Sequence, residues 1–333
     1  MSDSLIIVPD SYANKNNLQN ELILDNTLYK RAKDLIGLLL DVGAVFINPD
    51  TGIIEFNSFV NYKRHHNVFV GRLLGYIAEG IIVRDCHEKS SSNRRWANIA
   101  RVLRDEPNLF MNIIKKIFYE PFIDNPDGYK AIGTGFAKTS KDYGHLYNPQ
   151  SDRDICWVEK AHHAIQLLSV KGVKLNKKIH AGLQIKVSTK SDGRYIVKYF
   201  CSKPYFNLYP VVYFDLGNDF NIVKEELLDI RKGIKSKKIN KNSILNSNIH
   251  LDTFSDYDII DFMLTRGKDI DNDLHEELEW YKYLLKELIS GKIDLLNLTD
   301  DNVIFSLMTE YLALQNVISN NTKQESILNL RAY

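Results

Sequence analysis

Between Gly182 and Ser188 apolar Leu183, Ile185 and Val187 alternate with polar Gln184, Lys186 and Ser188. A side-chain period of two belongs to a β-strand with one packed face and one face presenting polar groups, so Gln184 and Lys186 project the same way. A second strand signal lies upstream, where Asp152 and Asp154 lead into the apolar, β-favouring run Ile155-Cys156-Trp157-Val158. Asp154 then stands at a strand start, with Asp152 and Cys156 on its own face. Side by side, the two strands bring a carboxylate, an amide carbonyl and an ammonium together.

Those groups have a joint chemical use. A hard divalent cation takes oxygen ligands, which Asp154 and the Gln184 carbonyl supply, leaving water and phosphate oxygens to complete the shell. Lys186 can hold or deprotonate an attacking water and offset phosphate charge. An Asp followed by Gln-x-Lys on an adjacent strand resembles the PD-(D/E)XK nuclease superfamily, and the Gln-x-Lys spelling resembles its Mrr-like restriction-endonuclease branch. The resemblance covers about the middle third of the chain. It implies that Asp154 and Gln184 bind Mg2+, with Mn2+ a substitute, and that Lys186 serves the nucleophile. It also implies a further acid from a preceding helix, for which Glu79 is the candidate, and Asp152 is the alternate first ligand. Two features depart from the family pattern: a long spacer between Asp154 and Gln184, and a neutral Gln where Glu would bind metal more strongly.

A chain of 333 residues, 44% hydrophobic and 26% charged, has a globular composition with room for one large or two moderate cores. No stretch approaches the roughly 18 apolar residues of a membrane span, and Leu5 to Val8 is too short for a signal-peptide core. The expectation is a soluble, cytoplasmic protein. Cys86, Cys156 and Cys201 are far apart and suggest neither a disulfide framework nor a zinc knuckle. Adjacent histidines diverge by about 100° on a helix, so His65-His66 and His162-His163 each offer at most one ligand to a given site. No phosphate-loop, dinucleotide-binding or Gly-x-Ser-x-Gly signature occurs.

Net charge is +1, but the charges are sorted. Residues 171–203 hold nine Lys or Arg against the single acid Asp192, whereas residues 251–301 hold fourteen acids and five bases. Lys171, Lys174, Lys177, Lys178, Lys190, Arg194 and Lys198 are therefore candidates for contact with nucleic-acid phosphates. The acidic segment is expected to face away from them.

The fold expected is α/β of the α+β kind: a small mixed sheet flanked by helices, which by resemblance is a restriction-endonuclease-like core, followed by a C-terminal helical region. Residues 1–125 form a mainly helical region with one hairpin, 126–231 the core, and 232–333 the C-terminal helices, with Lys232 to Asn242 as the connector. Thr27 caps a helix ended by Gly43, and Ala44–Asn48 and Ile53–Phe56 form a hairpin about Pro49-Asp50-Thr51-Gly52. A helix follows from Ser58, with Val70, Leu73, Leu74 and Ile77 on its packed side and Glu79 flanking them. Residues 87–120 carry Arg94, Arg95 and Trp96 on a helical element. Asp124 to Gln150 is rich in turn residues. Ala161–Val170 reads as a helix between the motif strands, Tyr195–Phe200 and Tyr209–Phe214 as strands, and Asn221–Arg231, Asp256–Leu264, Leu274–Ile289 and Val303–Ile318 as helices.

The function expected is a metal-dependent endonuclease acting on DNA, set by resemblance in restriction or another defence against foreign DNA. Two alternatives use the same residues: a non-catalytic nucleic-acid-binding or assembly subunit, which the neutral Gln184 keeps open, and a toxin-like ribonuclease. The C-terminal helices suit a homodimer contact or a regulatory protein partner.

Overall fold

The computed structural model describes residues 26–57, 66–101, 124–151, 153–167, 180–197, 209–231 and 264–330. The described chain is mixed α and β and falls into two compact units. Among the described residues, one gathers those within 38–46 and 56–279, the other those within 26–37, 47–55 and 280–330.

In chain order the elements are helix α1 (Asn26–Asp41), strands β1 (Val45–Ile47) and β2 (Ile54–Phe56), and helices α2 (His66–Glu88) and α3 (Ser90–Ala100). They continue with β3 (Tyr129–Gly133), helix α4 (Ala137–Asp142), β4 (Ile155–Glu159), β5 (Gly182–Ser188), β6 (Val211–Asp215) and helix α5 (Phe220–Arg231). After these come β7 (Leu264–Arg266) and helices α6 (Gly267–Ile270), α7 (Asn272–Ile289) and α8 (Asp301–Leu330). The hairpin is present: Asn48 N–H donates to Ile53 O at 2.9 Å, and Gly52 turns the chain at φ +69°, where a side chain is strained. Gly43, at φ +79°, ends α1.

The larger unit is built on a five-stranded sheet in the order β3-β4-β5-β6-β7. β3, β4 and β5 run antiparallel to their neighbours, while β5, β6 and β7 are parallel, so the sheet is mixed. β6 is buried along its whole length, as expected of a strand covered on both faces. At its end Asp215 is fully buried and accepts from Arg266 Nε at 2.9 Å and Nη2 at 2.8 Å, which ties β7 to the sheet. Helix α3 meets β4 through a buried bond from Trp157 Nε1 to Asn93 Oδ1 at 2.8 Å. Asn93 Nδ2 in turn donates to the carbonyls of Pro126 at 2.8 Å and Tyr129 at 3.1 Å.

The smaller unit contains α8 and parts of α1 and α7. Trp280 Nε1 donates to Leu28 O at 3.0 Å, Tyr281 Oη donates to Arg31 O at 3.0 Å, and Trp280, Tyr283 and Tyr311 form an aromatic group with centroids 4.9 to 5.7 Å apart.

Four expectations are corrected. Residues 161–167 are not helical: Glu159 N–H donates to Ile165 O and Leu167 N–H to Trp157 O, so this segment pairs with β4, with Ile165 exposed and Leu167 buried. The spacing of Ile165 and Leu167 fits a period of two as well as a helix, and pairing with β4 decides it. Arg194–Val197 is helical rather than a strand, and Ile196 and Val197 are both buried, which strand alternation on one packed face does not give. Leu264 opens β7 instead of closing a helix. Within the turn-rich stretch 124–150, Tyr129–Gly133 is a strand. Residues 58–65, 102–123, 168–170, 198–200 and 232–263, and with them the remainder of several expected elements, lie outside the described residues.

Replacing Asn93 by Ala leaves the Trp157 N–H and two carbonyls without their partner. The expected cost is about 2–3 kcal/mol of unfolding free energy, measured by urea denaturation, with the m-value unchanged.

Candidate active site

Asp154 immediately precedes β4, and its backbone is fixed on both sides: its N–H donates to Leu183 O at 2.7 Å and its carbonyl accepts from Thr134 N at 2.9 Å. The β4–β5 ladder is only two pairs long, Ile155 with Leu183 and Cys156 with Gly182. Beyond it Ile185 N–H has no β4 carbonyl opposite, and the Asp154 carboxylate takes that place, Oδ2 accepting from Ile185 N at 2.6 Å. The same oxygen accepts from Lys186 Nζ at 3.0 Å, and Lys186 Nζ also donates to Ile185 O at 2.9 Å. Both side chains are partly shielded, Lys186 at 14% and Asp154 at 24% exposure. Asp154 Oδ1 has no hydrogen bond among the described residues.

Gln184 is buried, on the face of β5 it shares with Lys186. Its N–H donates to Pro210 O at 2.9 Å, fixing this end of β5 to the chain entering β6. Glu79, on α2, is also buried. Burial pushes its carboxyl well above the ordinary glutamate value of 4.5; the negative charge of Asp154 pushes the same way, and the Lys186 ammonium opposes. Those influences place Glu79 within electrostatic reach of both Asp154 and Lys186.

Arg153 holds the start of β4 and carries no distinctive signal in the sequence. Its side chain crosses Gly182, where a Cβ would stand 2.5 Å from Arg153 Cδ, and its guanidinium donates to Ala181 O at 2.9 Å and to Gln166 Oε1. Thr134 is equally unannounced: its hydroxyl donates to Arg153 O at 2.7 Å. Together they set the direction from which Asp154 reaches β5.

Of the other sequence candidates, Lys190 and Arg194 are exposed beyond the end of β5. Asp152, Lys171, Lys174, Lys177, Lys178 and Lys198 lie outside the described residues. His162 and His163 are exposed, and the His163 ring packs edge-on to Tyr143 at 4.9 Å, apart from the carboxylates' own contacts. Cys86 and Cys156 are buried free thiols, both pushed up in pKa by burial, Cys156 to about 11.

Among the described residues no three His, Cys, Asp or Glu side chains gather as a metal cage. The centre instead offers two carboxylates and an amide. Those are oxygen donors of the type a hard divalent cation takes, and the charge of Asp154 disfavours that of the buried Glu79. Comparison with protein-family models, with curated proteins and with solved structures finds no match. No helix of the described residues is long and apolar enough to cross a membrane.

The sign of the Glu79 effect gives a prediction. A carboxyl whose folded pKa is raised has stability that is fully present below the unfolded value of 4.5 and is lost as pH rises towards the folded value. Glu79→Gln is therefore expected to raise Tm in EDTA by about 2–4 °C at pH 8, with the gain vanishing near pH 4. Added Mg2+ should raise the wild-type Tm more than that of the variant. Differential scanning calorimetry across pH checks both.

Proposed function

We propose that the chain is a metal-dependent endonuclease that hydrolyses DNA phosphodiester bonds. The observation that carries the reading is the meeting of Asp154 Oδ2 and Lys186 Nζ at 3.0 Å where two adjacent strands part, with Glu79 in electrostatic reach and Gln184 on the Lys186 face. A mixed sheet, neighbouring motif strands and an acid from a preceding helix are also what the resemblance to PD-(D/E)XK nucleases implies.

Asp154, Glu79 and Gln184 would hold the cation, with Asp152 as the alternate ligand. When bound, Mg2+, or Mn2+ in its place, acidifies water and neutralises phosphate charge. Lys186 orients the attacking water through an N–H donor and offsets the charge gathering on the phosphate. The water oxygen bonds to phosphorus as the bond from phosphorus to the sugar oxygen breaks; the water's proton passes to solvent and the departing oxygen takes one from solvent. Asp154 keeps Lys186 aimed, since Nζ is held between its carboxylate and the Ile185 carbonyl. Lys190 and Arg194 suit backbone phosphates and carry no base readout.

The setting proposed with this activity is cytoplasmic restriction or another defence against foreign DNA, restrained or paired through the C-terminal helices. A second reading, a nucleic-acid-binding subunit without cleavage, is favoured by one feature: the middle ligand is the neutral Gln184.

The test is conversion of supercoiled plasmid to nicked or linear DNA with Mg2+, Mn2+ or EDTA, beside an RNA substrate. Wild type is expected to cut DNA only with metal, and Lys186→Ala and Asp154→Ala of equal folded content to lose at least about 100-fold in rate. DNA retained but uncut by all three would establish the binding subunit, and loss of RNA with DNA intact would make the enzyme a ribonuclease.

A further inference from the structure

Helix α2 carries more than Glu79 towards the candidate centre. Arg72, Tyr76 and Glu79 are spaced by four and three residues, so they share one stripe of the helix surface. The stripe passes from solvent to interior: Arg72 is exposed, Tyr76 is 39% exposed and Glu79 is buried. Arg72 makes no ion pair or hydrogen bond among the described residues, whereas Arg84, five residues beyond Glu79 on the same helix, is bound to Glu277 at 2.9 Å.

A second aromatic ring comes from another segment. Tyr147, 40% exposed, follows the single turn Gly144–Leu146, whose Leu146 and preceding Tyr143 pack on Ile132, Cys156 and Val158. The loop is pinned to Thr134, just past β3, which is itself bonded to Asp154: Asn148 N–H donates to Thr134 O at 2.8 Å, and Thr134 N–H to Asp154 O at 2.9 Å. Tyr147 is thus anchored one short chain of bonds from Asp154. Tyr76 lies within electrostatic reach of Glu79, Arg72, Asp154 and Tyr147.

Two half-exposed phenol rings beside a phosphodiester-cleaving centre have a specific chemical partner. In a duplex the base faces are covered by their own stacking; in an unpaired strand they are open to an aromatic side chain. A free guanidinium beside them matches the phosphate that joins such bases.

We propose that Arg72, Tyr76 and Tyr147 form a strand-holding rim for single-stranded DNA, the two rings stacking on bases that flank the scissile phosphate and Arg72 pairing with a neighbouring phosphate. The assignment rests on the nuclease reading of Asp154, Gln184 and Lys186, and adds to its action on DNA a preference for unpaired strands, ends or flaps.

The test separates the two. Binding of a labelled 20-nucleotide single strand and of the same sequence as duplex is measured by fluorescence anisotropy of the full chain in EDTA, and cleavage of both is followed in Mg2+. Wild type is expected to bind the single strand about tenfold more tightly than the duplex. The pair Tyr76→Ala with Tyr147→Ala should lose that preference, and the pair Tyr76→Phe with Tyr147→Phe, which keeps both rings, should retain it. Arg72→Ala should reduce the slope of log affinity against log salt by about one. Duplex bound as tightly as the single strand, or an Ala pair with undiminished preference, overturns the rim. If the Ala pair does not fold, loss of preference in the Phe pair or in wild type itself decides against it. Cleavage of duplex without effect of the rings sinks the rim and leaves the nuclease standing; single-strand preference without cleavage does the reverse.

Discussion

One carboxylate oxygen organises the site. Asp154 Oδ2 accepts from both the Ile185 N–H, at 2.6 Å, and Lys186 Nζ, at 3.0 Å. The first bond replaces a missing rung of the β4–β5 ladder and is a matter of folding; the second aims an ammonium and is a matter of chemistry. Because both fall on one atom, strand register and site geometry are the same constraint. A one-residue slip of β5 would turn Gln184 and Lys186 to the opposite face and put Leu183, Ile185 and Val187 in their place.

The short ladder has a cause in the chain between the strands. Leu167 N–H donates to Trp157 O and Ala181 N–H to Leu167 O, so the returning segment stands between β4 and the start of β5. β4 and β5 are left with two pairs in common, and Asp154 lies just past them. Arg153, laid across Gly182, and Thr134, bonded to Arg153 O and Asp154 O, close the structure around the departure point. Glu79 then adds a buried acid within electrostatic reach of the partly shielded Asp154. The burial of Glu79 and the negative charge of Asp154 both disfavour the charged form of Glu79.

Much of this was legible in the sequence because period-two alternation is a local property. Leu183 to Val187 and Ile155 to Val158 announced their strands, and the Gln184–Lys186 spacing announced a shared face. Gly43 and Gly52 announced the end of α1 and the hairpin through backbone angles that few other residues accept. Where the reading failed, the missing information was tertiary. Ile165 and Leu167 fit helix and strand alike, and only the open edge of β4 decides between them. Arg194–Val197 has the β-branched content of a strand, yet Ile196 and Val197 are both buried in a helical turn. β7 is three residues long and depends on Arg266 meeting a fully buried Asp215, a contact 51 residues away in sequence. Arg153 and Thr134 act through stems and carbonyls, for which residue type gives no sign.

The most direct measurement of the central claim is the position of Mn2+, located by its anomalous scattering in crystals of the protein with an oligonucleotide and Mn2+. The account predicts one ion bonded to carboxylate oxygens of Asp154 and Glu79, with the Gln184 side chain and a phosphate oxygen in its shell and Lys186 beside the phosphate. An oligonucleotide bound with no ion at these side chains, and the Asp154–Lys186 pair unchanged, would contradict it.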